Sequence, residues 1–232
     1  MKAKKSKKVE RQWSFEYKFS SILAVVAFLF VSMTGVVVMT RAARDDIKAS
    51  FDYELRTAVE TVSSGVDALY DQSQSGEISY ELAYDLAVDL VDNASWNDGR
   101  RGFWAMTYEG TLLAKVDSND FSQQVGDSVY DWQDADGLYV EREFIAAAKG
   151  GGGYVNFRMD SDGTHNSFVG YALPTKFDFL IDATYDMNYF NDNWGDYTNP
   201  AATRVIVANA LGVAVVAVGF LVGRSLCKAR FT

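Results

Sequence analysis

The side chains of this 232-residue sequence that could do chemistry are few. Trp104, Met106 and Tyr108 alternate with Phe103, Ala105 and Thr107, so a strand here puts the first three on one face. Such a face either packs as core or lines an apolar pocket, and a pocket also needs a few polar groups to orient its ligand. Lys115, Asp117, Arg158, Tyr171 and Asp182 stand at or beside strand-like segments and are the candidates for those groups. Arg158 suits an anion best, because a guanidinium grips a carboxylate through two parallel N–H bonds. It reads equally well as a solvated charge at a strand end. The chemistry implied is reversible recognition of a small polar molecule.

Other chemistries find little support. One histidine, His165, and one cysteine, Cys227, cannot build a His relay or a Cys/His metal cluster, and no nucleophile–base pair or nucleotide loop is visible. Gly150 to Gly153 is followed by a strand-like run and no Lys-Ser/Thr, so it reads as a helix stop, not a phosphate cradle. The acidic turns Asp134–Gly137 and Asp160–Gly163 do not fit a calcium loop. With glycine at loop position 6, position 1 falls on Trp132 or Arg158, where an Asp is required. The expectation is therefore no enzyme, no cofactor and no metal. A net charge of −9 speaks against a nucleic-acid partner.

The elements that must position these residues follow from periodicity. Ile47, Phe51, Leu55, Ala58, Val62, Val66 and Leu69 form a heptad stripe, predicting a long helix whose stripe packs the domain core and pairs two protomers. Ser73 to Gly76 breaks it. Ser79 can cap a second helix carrying Tyr80, Ala83, Leu86, Ala87 and Leu90 on one face. Phe103–Tyr108 and Thr111–Val116 flank the hairpin signal Glu109-Gly110. A short helix over Leu138–Lys149 precedes three strand candidates, Tyr154–Met159, Asn166–Leu173 and Phe177–Thr184, and Tyr185–Pro200 reads as a last short helix. The fold class expected is α+β, one antiparallel sheet of about five strands with the helices on one side.

Two apolar runs, Phe19–Met39 and Val205–Gly223, frame this domain. Each matches the ~20 residues that cross a bilayer as a helix, and the first is longer than the apolar core of a cleaved signal peptide. Residues 1–18 carry seven Lys or Arg against two Glu, and residues 224–232 carry three Lys or Arg, whereas residues 40–204 hold a net −17. Basic flanks stay cytoplasmic, which predicts a two-pass protein of an inner membrane, both termini inside and residues 40–204 outside. Gly219 with Gly223, and Ala208 with Gly212, offer small faces on which such helices can pair.

An ordered series of segments resembles the single Cache domain, a PAS-like extracellular sensor module of bacterial chemoreceptors and histidine kinases. It comprises Gly102-Phe103-Trp104-Ala105-Met106, Tyr108-Glu109-Gly110-Thr111-Leu112-Leu113-Ala114, Val125-Gly126 and Asp134-Ala135-Asp136-Gly137. It continues through Phe144 to Val155 and closes with Gly170-Tyr171-Ala172 and Phe177 to Tyr185. The resemblance implies a pocket on one sheet face for a small metabolite, often a short organic acid. It also implies a homodimer formed through the long helix and a conformational signal passed across the membrane. Two positions depart from the family. Lys115-Val116 stands where such domains often carry His-Pro, and Phe168 where a Lys is common. Their loss weakens the expectation of a carboxylate and allows a second reading, an accessory subunit with a degenerate pocket. Nine residues follow Gly223, too few for a transmitter domain, so the expectation is either a truncated receptor or output through a separate signalling partner.

Overall fold

The computed structural model describes residues 2–96, 101–115, 123–161 and 164–187, with Ala208 and Gly212. Contacts divide the chain into two units, one of them Ile47–Asp192 and the other formed by the two ends of the chain. In the terminal unit, α1 (Lys2–Ser75) begins. Its apolar segment is long enough to cross a membrane, and none of that window is buried in protein. The second apolar run lies outside the described residues except for Ala208 and Gly212. At Gly212 a Cβ would press into the Phe28 ring, so this small residue serves a close approach within one chain. Gly219 and Gly223 lie outside the described residues.

Within Ile47–Asp192, α1 continues to a Schellman stop. Gly76 takes φ +80°, its N–H donates to Ser73, and that of Glu77 donates to Gln72. Next come α2 (Tyr80–Asn93), capped by the Ser79 hydroxyl on Leu82 N–H, and a two-strand ribbon, β1 (Ser95–Trp96) with β2 (Arg101–Gly102). Then follow β3 (Trp104–Thr107), β4 (Leu112–Ala114), α3 (Val140–Lys149), β5 (Gly153–Ser161), β6 (Thr164–Pro174) and β7 (Phe179–Asp186). The main sheet is antiparallel with order β4-β3-β7-β6-β5. This is the expected α+β class with a long first helix and five strands. Phe177 and Asp178 precede β7, while Tyr185 and Asp186 extend it instead of starting a helix. Residues 188–200 lie outside the described residues.

The layering differs from the expectation. Both faces of the sheet are covered, not one. Leu55, Val59 and Val66 of α1 and Ala83, Ala87 and Val91 of α2 pack on Ala105, Val169, Ile181 and Tyr185. On the other face, Val140, Phe144, Ile145 and Ala148 of α3 pack on Met106, Val155, Phe157, Ala172 and Leu180. The reason is the strand composition. Successive residues point to opposite faces, and β7 is apolar or buried at nearly every position, so neither face can meet water. The α2 stripe also turns. Its alanines and Val91 face the core, whereas Leu86 and Leu90 stay 40% and 38% exposed, because small residues let the helix approach the sheet.

Two glycine arrangements seat α3. The helix ends at Gly150, and Gly151 and Gly152 take φ +93° and +114°, returning the chain into β5 as a helix stop. On β6, a Cβ at Gly170 would stand 2.6 Å from Cε1 of Phe144, so only glycine admits that ring. Gly170→Ala is expected to cost about 1–3 kcal/mol through overpacking. Chemical denaturation of the full chain in detergent should show the loss, and adding Phe144→Leu should recover part of it. A neutral Gly170→Ala would refute this account of the α3 contact.

Candidate functional site

The face beneath α3 brings together four of the eight sequence-predicted residues, Trp104, Met106, Tyr108 and Asp182. Trp104 and Met106 on β3, and Tyr108 just beyond it, line this face together. Register places Asp182 of β7 directly beside Trp104 on one side and Ala172 on the other. α3 brings a residue that the candidate set did not contain: Glu141, in its first turn. Glu141 is 5% exposed and Asp182 3%. The signal for Glu141 lay in spacing. It occupies the 141, 144, 145, 148 stripe that α3 buries, the one acid in an otherwise apolar face.

Aromatic rings fill the β5–β6 half of the same face. Phe157 stacks on Phe168 with centroids 5.3 Å apart, and meets Phe144 and Trp132 edge-on at 6.0 and 6.2 Å. The Lys that the resemblance leads one to expect at position 168 is thus a ring in a packed cluster. Polar character on this face concentrates at Glu141 and Asp182.

Their electrostatics are those of sealed carboxyls. Burial pushes Glu141 up to about 8. Burial also raises Asp182 well above the usual carboxylate range, and the charge of Glu141 raises it further. The N-terminal end of α3 favours an anion by only ~0.3–1 kcal/mol at an exposed site, too little to offset desolvation. Glu141 Oε2 and Asp182 Oδ2 have no hydrogen-bond partner among the described residues. Two neighbouring acids with apolar surroundings and vacant lone pairs can accept donors that the fold does not supply.

The other candidates fall elsewhere. Lys115, half-buried after β4, donates from Nζ to the Gln123 carbonyl at 2.8 Å. Asp117 lies outside the described residues. Tyr171 sits on the opposite, α1-side face and is 7% exposed, with its ring 4.7 Å from that of Tyr154. Arg158 stands at the far strand β5, where its guanidinium contacts Asp136 at 3.1 and 3.2 Å. It borders an open hollow of about 380 Å³ shared with Lys48, Asp134, Asn156 and Ser167. The Asp134 carboxylate is held by backbone N–H groups of Arg158, Asp136 and Leu138. Burial pushes that carboxyl up, yet the hydrogen bonds outweigh it and leave it low. Asp134–Gly137 is thereby an Asx-type turn fastening the loop to β5.

The family model described as "Single Cache domain 2" matches residues 47–198. No curated protein matches. Among solved structures, a periplasmic sensor domain of a chemotaxis protein aligns with TM-score 0.53 at 18% identity, over 60% of this chain and 96% of that one. A Cache chemosensory domain described for carboxylic acid recognition aligns with TM-score 0.52 at 17% identity, over 61% and 97%. A methyl-accepting chemotaxis protein from Vibrio parahaemolyticus aligns with TM-score 0.50 at 16% identity, over 64% and 97%. At these identities the structural likeness speaks to the fold.

The carboxyl pair makes stability depend on pH. A carboxyl whose folded pKa is raised is neutral in both states below its unfolded value, near 4.5 for Glu141, and becomes a burden as pH climbs toward about 8. Each tenfold change in proton affinity corresponds to ~1.4 kcal/mol. The melting temperature of the full chain in detergent should therefore fall between about pH 5 and pH 8. Glu141→Gln and Asp182→Asn should each flatten that slope; an unchanged slope in both would refute the raised values.

Proposed function

This chain belongs to the single Cache domain 2 family, and on that premise we propose that it is a membrane-attached sensor of a small polar metabolite. The single observation that supports this reading most is the site under α3. Two buried carboxyl oxygens without donors lie on the face that carries Trp104, Met106 and Tyr108. A folded protein leaves buried lone pairs empty at a cost of about 1–3 kcal/mol each. A ligand that fills them gives that cost a purpose.

The signal would leave through α1. Leu55, Val59 and Val66 belong to the domain core, and the same helix carries the apolar segment suited to a bilayer. Binding moves such a helix only to the extent that ligand affinity differs between two arrangements of the domain. The basic N-terminus places the helix start in the cytoplasm and the sensor domain outside, with residues 205–223 as the return span. Pairing of two copies along α1 and a separate signalling protein complete the proposal. Binding, not catalysis, is the activity.

The same structure holds an observation in favour of the accessory-subunit reading. Phe168 and Phe157 occupy space on the sheet face that a ligand would otherwise use. A thermal-shift screen of the full chain in detergent against a broad panel of small metabolites separates the two. The sensor reading expects one compound to raise the melting temperature, approaching ~2.7 kcal/mol of stabilisation at 100 times its Kd. Trp104→Ala should remove most of that gain. No shift across the panel, with a second membrane protein retained through purification, would favour the accessory role.

A further inference from the structure

We infer that the site beneath α3 takes a small organic ammonium ion, with Glu141 and Asp182 as its recognition residues. The inference rests on the sensor reading above and deepens it by assigning the ligand its charge. The two acceptors arrive from different elements, Glu141 from the first turn of α3 and Asp182 from β7, so they converge across the layer. Each is more than nine-tenths buried, and each presents an oxygen with no donor among the described residues. Such a pair is repaired by N–H groups. An ammonium carries three of them and the opposite charge, and the ring of Trp104 on the same face suits a cation, whereas Lys149 already stands over the Tyr108 ring.

A carboxylate fits less well. It could accept only from the protons of the pair itself, and the nearby cations are otherwise engaged. Lys115 is bound to the Gln123 carbonyl, and Lys149 of α3 stands 5.4 Å above the Tyr108 ring. Arg158 is paired with Asp136 across the sheet at β5. The remaining titratable groups that bear on this face are acids and a phenol. Asp186 ends β7, and Asp178 before it acts on Tyr108, whose phenol burial chiefly raises. Glu141 is the charge that acts on Asp182. Lys149 and the N-terminal end of α3 oppose a cation, so the attraction in the site comes from Glu141 and Asp182 themselves.

The proton balance gives the inference a signature. Before binding, the sealed pair holds protons; when the ammonium docks, a carboxyl ionises to pair with it and the displaced proton leaves to solvent. Affinity for an ammonium must then rise with pH across the neutral range, until the free pair is itself ionised. A carboxylic acid that needs the pair protonated must show the opposite slope.

The test is calorimetry on the full chain in detergent with methylammonium, propylammonium and 1,4-diaminobutane, beside acetate, propionate and lactate as the acidic set. Titration in two buffers of different ionisation enthalpy counts the protons. We expect at least one amine to bind, release roughly one proton near pH 7, and tighten roughly twentyfold from pH 6 to pH 7.5. Glu141→Gln and Asp182→Asn should each weaken it by about tenfold or more. The isosteric exchanges preserve shape, and the proton count on the unaltered protein stands even if a variant fails to fold. Binding of an acid with affinity that falls as pH rises overturns the cation assignment and leaves the sensor reading intact. Amine binding unchanged in both folded variants overturns the assignment of these residues. No binding from either set overturns the inference, and only a failure of the wider metabolite screen as well overturns the sensor reading.

Discussion

The sheet is apolar on both faces, and that constraint organises the domain. β7 buries six of its first seven residues, at the centre of five antiparallel strands. Water cannot cover either side without a penalty of roughly 25 cal/mol per Å² of apolar surface. α1 and α2 cover one face and α3 covers the other. The second cover depends on close approach, which Gly170 permits by yielding its Cβ position to the Phe144 ring. Remove that approach and the layer that seals Glu141 and Asp182 loosens.

Sealing is what sets these two acids apart from ordinary ones. On a surface, a Glu at a helix start and an Asp in a strand would be ionised, hydrated and of little consequence. Between α3 and β7 they lose water and gain each other, so burial and like charge act in the same direction. The aromatic cluster around Phe157 closes the β5–β6 half of the face and leaves the polar character to one end. Under the proposed reading, a site so built would distinguish ligands first by charge and by donor count, then by shape. That ordering is the reverse of an arginine-lined pocket, where the protein supplies the donors and the ligand the acceptors.

Much of this was legible in the chain. Alternation in Phe103–Tyr108 separated Trp104, Met106 and Tyr108 from their neighbours, and the structure puts those three on a common face. The Ser79 cap, the Gly76 stop and the Glu109-Gly110 hairpin are local, so local chemistry sufficed to place them. What failed to transfer from sequence was partnership across the sheet. Tyr171 and Asp182 are both strand residues, yet Tyr171 faces α1 while Asp182 faces α3, because parity along one strand says nothing about which layer lies above it. Arg158 looked like the best anion partner by residue type; its guanidinium is spent on Asp136 in a loop 22 positions earlier. Glu141 escaped notice since an acid in a helical first turn is normally a surface feature.

The amino-acid sequence by itself determined the element types, the apolar segment near the start, the acidic balance between the runs and the order of segments that marks the family. These rest on interactions between residues a few positions apart, or on composition, and need no knowledge of the fold. Tertiary structure alone decided that α3 crosses to the second face, and that Glu141 and Asp182, 41 positions apart, are sealed under it together. The physical reason is desolvation. It is a property of what surrounds a group after folding, and no spacing along the chain encodes it directly.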